Sequence, residues 1–236
     1  MSAAAASMTS RLVLNATKLK FQGQDGISAM TRALSYPGSK IRTIEISEES
    51  ADIAHDVTKD FPASEGPLTF LYKVGYDDAG KHCMDPNYIN ERLSLCKIAK
   101  DKKHKVIAMV HNPEEVLQQT EGDGKDKLAA LTEKLKTAFS ALDDQVSMNN
   151  ISSYGICSNG VSLPSDHPLY LPPSNIIRLA TNTPNFSTLM LPCNLFETRG
   201  IHRLASLYPE GGASGTFPIK NVIGTRPLTA YPNGGS

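Results

Sequence analysis

The sequence predicts an α/β protein with a (β/α)8 TIM-barrel-like fold, incomplete at its C-terminal end. Three observations carry the prediction. Helical and strand-like patterns alternate along the chain, which is the signature of parallel β/α architecture. The run at 106–110 (VIAMV) is too apolar on both faces for an exposed sheet, which favours a buried parallel strand. Seven strand positions can be counted where eight would close a barrel.

The elements follow in order. A strand fits residues 11–15 (RLVLN), and 26–34 (GISAMTRAL) forms a short amphipathic helix with Ile27, Met30, Ala33 and Leu34 on one side. Residues 41–46 (IRTIEI) read as a strand, and 48–61 as a helix with Ile53, Val57 and Phe61 at spacing four. A strand at 68–74 precedes a helix at 88–103, whose basic end complements the helix dipole. After 106–110 comes the clearest helix, 126–142, with Leu128, Leu131, Leu135, Phe139 and Leu142 at threes and fours. The remaining segments are 152–157, 176–180, 188–191, 201–207 and 221–228, which bring the strand positions to seven with helices between them.

Composition narrows the function classes. A chain of 236 residues buries a full core as one domain of barrel size. Its 24 basic residues balance 24 acidic ones, so no global field draws it to nucleic acid or an acidic membrane, and no direct nucleic-acid contact is expected. No apolar run approaches the roughly 18 to 20 residues needed to span a bilayer. The four cysteines, Cys83, Cys96, Cys157 and Cys193, form no CxxC pair and no zinc-ligand spacing, which fits a reduced compartment and no metal. Residues 1–24 contain no acid, are rich in Ala and Ser, and carry Arg11, Lys18 and Lys20. That composition suits an organellar targeting segment ahead of a barrel domain at 25–236, and hence a mitochondrial place, with a cytoplasmic one as the alternative. A plain disordered start fits it as well.

Five motifs appear in a fixed order: YKVGY (72–76), VHNPEE (110–115), YGICSNG (154–160), LMLPCNLFE (189–197) and TRPLTAY (225–231). Together they resemble the aldo-keto reductase superfamily, NAD(P)H-dependent (β/α)8 barrels, over roughly residues 26–231. The resemblance implies a tyrosine that protonates a substrate carbonyl as hydride arrives, tuned by a lysine, an aspartate and a histidine. Lys73 and His111 match the lysine and histidine. Where the aspartate and tyrosine are expected, this chain has Glu45 and Ser50, and a serine hydroxyl is far less acidic than a phenol. Tyr72 and Tyr76 are near Lys73, but Tyr72 is expected on the opposite face of its strand.

The resemblance also implies a cofactor site. Ser158 and Asn159 match the pair that holds the nicotinamide amide, whereas the accompanying glutamine aligns with Met190 and the stacking tyrosine with Thr225. The family's phosphate-gripping residues fall in and after an eighth strand, beyond Ser236. The expectation is therefore a degenerate, catalytically inactive member with no cofactor, acting as a structural or accessory subunit whose partner subunits cover the open barrel edge. The alternative is a divergent NAD(P)H-dependent carbonyl or aldehyde reductase. Without the family pattern, Lys73 reads as a solvated lysine, His111 as part of a strand-closing turn, and residues 158–160 as a turn by themselves.

Overall fold

The computed structural model describes residues 12–17, 19–207 and 218–226. Seven parallel strands form one sheet in chain order: β1 (Val13–Asn15), β2 (Thr43–Ser47), β3 (Thr69–Val74), β4 (Lys105–His111), β5 (Ser153–Cys157), β6 (Phe186–Pro192) and β7 (Asn221–Thr225). Among the described residues each strand pairs only with its sequence neighbours, and every pairing is parallel. That progression in one direction, with helical crossovers, curls a sheet toward a barrel rather than into a doubly wound sheet. Among the described residues β1 and β7 do not pair with each other, so the (β/α) barrel is incomplete.

The helices are α1 (Leu19–Ser35), α2 (Glu48–Thr58), α3 (Pro86–Leu95), α4 (Lys97–Asp101), α5 (Val116–Gln119), α6 (Gly124–Ser147), α7 (Pro173–Thr181) and α8 (Arg199–Ser206). β1 and the start of α1 take part of the segment before residue 25 into the barrel. The composition of residues 1–11 and the glycine-rich run 211–215 lie outside the described residues, as do Leu228 and Tyr231.

The strands alternate between two cores, as a period of two demands. Ile44, Ile46, Phe70, Tyr72, Ala108, Val110, Ile156, Leu189 and Leu191 face the helices in one large cluster. Leu71, Met109, Cys157 and Met190 meet inside the barrel, with Val13, Ile107 and Ile223 against them. Tyr72 therefore lies on the helix side, as its parity with Lys73 requires, and its hydroxyl reaches the Arg92 carbonyl at 3.5 Å. Phe139 of α6 packs against Tyr154 and Phe186 at centroid distances of 5.2 and 5.5 Å, which fixes α6 over β5 and β6.

Several helices differ from the sequence expectation: α1, expected over 26–34, already starts at Leu19, and α2, expected over 48–61, ends at Thr58. The helix expected over 88–103 is broken at Cys96, whose extended backbone (ψ 107°) separates α3 from α4. The break lets Leu95 face solvent while Ile98 and Ala99 return to the core. α6 runs past residue 142 to Ser147, and it starts where Asp123 accepts the Lys125 and Asp126 amides at 2.7 and 3.0 Å. That side-chain cap satisfies amides that otherwise lack partners at a helix start.

His104 ties the bottom of the barrel together. Its Nδ1 accepts the Leu68 amide at 3.3 Å and its Nε2 lies 3.3 Å from the Thr58 carbonyl. This arrangement needs the neutral ring with its proton on Nε2, and burial holds the His104 pKa below its ordinary value.

Candidate functional site

In barrels of this kind the C-terminal ends of the strands carry reactive groups. Glu45 faces inward from β2 and Lys73 from β3, and the two form a buried ion pair. Their strands are in register with Lys73 beside Ser47 and Glu45 beside Leu71, so the pair runs diagonally across the two strands. The extra methylene of glutamate over aspartate does not prevent the contact. Burial pulls the Lys73 pKa down, but the Cys157 sulfur and the Glu45 carboxylate outweigh it and hold the pKa above the ordinary lysine value. Burial also pushes the Cys157 thiol up to about 12. Cys157 is therefore neutral at physiological pH, and Glu45 is the partner that keeps Lys73 charged.

His111 ends β4. Burial, the Lys73 ammonium and His82 together push its pKa down to about 3, so its imidazole is neutral. The Tyr76 ring packs edge-on against it, with centroids 5.4 Å apart and planes at 75°. The Tyr76 hydroxyl donates to Glu115 and accepts from Asn112 Nδ2 at 2.8 Å. Burial and the bond to Glu115 raise its pKa, which makes it a weaker acid than a free phenol.

Ser50, at the position where the tyrosine was expected, is not at the barrel mouth. It is fully buried in the first turn of α2, where its hydroxyl accepts the Ser47 amide at 3.0 Å and donates to the Ser47 carbonyl at 3.2 Å. The side chain caps a helix.

Ser158 and Asn159 sit at the end of β5, and their polar groups are used by the protein itself. The buried Glu114 carboxyl receives the Ser158 hydroxyl at 2.8 Å and the amides of Asn159 and Gly160 at 2.8 and 2.9 Å. Burial raises the Glu114 pKa, while these donors work in the opposite direction. Gly160 is required at this contact, because a Cβ there would lie 2.5 Å from the Leu169 carbonyl and 3.0 Å from Glu114 Cβ. The Asn159 side chain donates to Asn112 Oδ1 at 3.2 Å and accepts from Arg226 Nη2 at 2.9 Å. Arg226 also reaches Glu197 at 3.5 Å, and Glu197 accepts from Asn194 at 2.5 Å.

A continuous polar belt thus crosses the barrel mouth from Glu115 through Tyr76, Asn112, Asn159 and Arg226 to Glu197. Asn112 and Arg226 both hold positive φ angles, 48° and 57°. Left-handed backbone at non-glycine residues costs on the order of 1 kcal/mol and persists where surrounding contacts over-determine it. Met190 lies in the apolar interior cluster, and the Thr225 carbonyl accepts the Cys193 amide at 3.0 Å.

Two solved structures match this arrangement over most of the chain. Both are from Pseudomonas aeruginosa, and each is described as a "putative aldo-keto reductase". They superpose with TM-scores of 0.57 and 0.56 at 14% identity, covering 84% of this chain and 68% of each of theirs. The fold is that of the aldo-keto reductases. At 14% identity the likeness concerns the fold alone. No protein-family model matches the sequence, and no curated protein matches it.

On this aldo-keto reductase fold, the structure brings Glu45 and Lys73 together inside the barrel, and places His111, Ser158 and Asn159 at the ends of adjacent strands. Sequence reasoning missed Glu114, Asn112 and Arg226. In VHNPEE nothing distinguishes the buried Glu114 from its half-buried neighbour Glu115, and in TRPL nothing announces that the arginine turns back to Asn159.

Lys73→Met leaves Glu45 as an uncompensated buried charge, and urea denaturation should show a loss of about 3–5 kcal/mol. Adding Glu45→Leu to that variant should recover much of the loss. A second expectation concerns acid. His82, His104 and His111 all have folded pKa values below the unfolded 6.5, so the unfolded chain binds more protons. Their contribution is fully present above pH 6.5 and is lost as pH falls from there toward the folded values, the lowest being about 3. Stability measured across this window should decline, and His111→Gln should flatten the decline.

Proposed function

We propose that this protein is a non-reducing relative of the aldo-keto reductases that acts as an accessory subunit of a larger assembly. One observation carries the reading: Ser158 and Asn159, the candidates for holding a nicotinamide amide, already satisfy their side-chain hydrogen bonds within the protein. Binding a carboxamide there would break bonds to Glu114, Asn112 or Arg226, each costly to leave unsatisfied in a partly buried site. The residues present fit nicotinamide poorly in other respects too. Met190 cannot accept or donate as glutamine does, and Thr225 offers no ring face. Ser50, used as a helix cap, supplies no phenol. General acid catalysis contributes roughly 100-fold to 10,000-fold, so a barrel without its donor has little to offer as a reductase.

The subunit role draws support from the sheet. Among the described residues β1 and β7 have free edges, and such edges are usually covered by another chain or segment. No helix among the described residues is long and apolar enough to cross a membrane. The acid-free, Ala- and Ser-rich composition ahead of β1 favours a mitochondrial place.

The second reading, a divergent NAD(P)H-dependent carbonyl reductase, is favoured by the Glu45–Lys73 pair beside a neutral His111. A lysine kept charged and an uncharged imidazole are suitable groups for polarising a carbonyl oxygen.

Titration with NADPH, followed by nucleotide fluorescence and melting temperature, separates the two. The accessory reading expects no saturable change at millimolar nucleotide. Saturable binding that Asn159→Ala weakens at least tenfold would contradict the accessory reading, and NADPH oxidation with a carbonyl substrate would then establish the reductase reading in its place. The subunit role has its own check, a native gel of fractionated source cells carrying the tagged full chain. Migration in a large mitochondrial complex is expected, and a free 25.5 kDa chain in the cytosol would contradict it.

A further inference from the structure

A cleft of about 490 Å³ lies outside the barrel, between the loop that follows β3 and the outer face of α6. Its size falls within the roughly 300–1,000 Å³ of small-molecule sites. We propose that this cleft binds a zwitterion with an apolar body, of the class of a free apolar α-amino acid. The proposal is independent of any role for the barrel mouth.

The loop wall is built, not slack. Tyr76 and His82 form an antiparallel bridge, and the Asp77 side chain accepts the Ala79 and Lys81 amides at 3.0 and 2.9 Å. Met84 and Val116 are buried beneath the cleft and give it an apolar floor. His82 is also buried, and burial lowers its pKa, so the ring adds no charge at neutral pH. Burial likewise raises the Cys83 pKa and keeps that thiol protonated.

The remaining charges balance. Glu133 is paired with Lys136 at 2.7 Å and contributes little net field. That leaves Lys81 on the loop wall and Lys134 on the helix wall, both exposed and neither in an ion pair among the described residues. Against them stand Asp77 and Asp85. Asp77 uses one oxygen for its turn and Asp85 uses one for the Cys83 thiol at 3.6 Å, so each keeps a second oxygen outside these bonds. Two cations and two anions over an apolar floor favour neither a simple anion nor a simple cation. A ligand with both a carboxylate and an ammonium answers both signs at once, and an aliphatic or aromatic side chain covers the floor.

The test uses L-leucine on the full chain, with N-acetyl-L-leucine, which lacks the ammonium, and L-leucinamide, which lacks the carboxylate. Methionine-methyl NMR follows Met84, and the Cys83 neighbourhood is followed through backbone amides. Expected are saturable shifts of Met84 with leucine and at least tenfold weaker binding of both derivatives. Lys81→Met combined with Lys134→Met, both exposed positions, should lower leucine affinity to that of leucinamide while the melting temperature stays unchanged. The proposal is overturned if leucine produces no saturable shift. It is equally overturned if the three ligands bind alike, if shifts map to the barrel mouth, or if the double variant binds leucine as the parent does.

Discussion

Burial of both faces of every inner strand is the constraint on which the architecture depends. A parallel strand covered by helices on one side and by its own barrel on the other has no solvated face, so both parities of its sequence must find partners. The outward parity is met by aliphatic and aromatic packing from Ile44 through Leu191, and the inward one by Leu71, Met109, Cys157 and Met190. Any polar group on the inward parity must then be paired within the barrel or lie at its mouth. β6, buried at all seven positions, is the extreme case.

The polar residues of the interior obey that constraint strictly. Lys73 finds Glu45, and Glu114, with a buried carboxyl, collects three donors from the turn after β5. This second contact links the end of β4 to the end of β5 and sets the direction of Asn159. From there the belt through Asn112 and Arg226 stitches strands together across the mouth. The same bonds that stabilise the rim occupy the side chains of Ser158 and Asn159. Net gains of about 1 kcal/mol per bond add up across the belt.

The polar contacts divide by depth. The Glu45–Lys73 ion pair lies inside the barrel. Toward the rim and the next helix, Ser50 caps α2 and Arg226 donates to Asn159. Losing one member of a deep ion pair costs several kcal/mol, whereas a rim residue changes partners more cheaply.

The sequence by itself determined the parallel β/α class, the seven strand positions and the family likeness, because these depend on periodicity and on motif order that survive along the chain. It also placed Lys73 and Glu45 on strands that adjoin, and parity separated Tyr72 from Lys73. It did not show the break at Cys96, which depends on where α4 must turn to bury Ile98. Nor did it distinguish Glu114 from Glu115, or show that Ser158 and Asn159 spend their donors internally. Those outcomes were decided by the tertiary structure, because they rest on hydrogen bonds between residues more than forty positions apart, and local pattern carries no record of such partners.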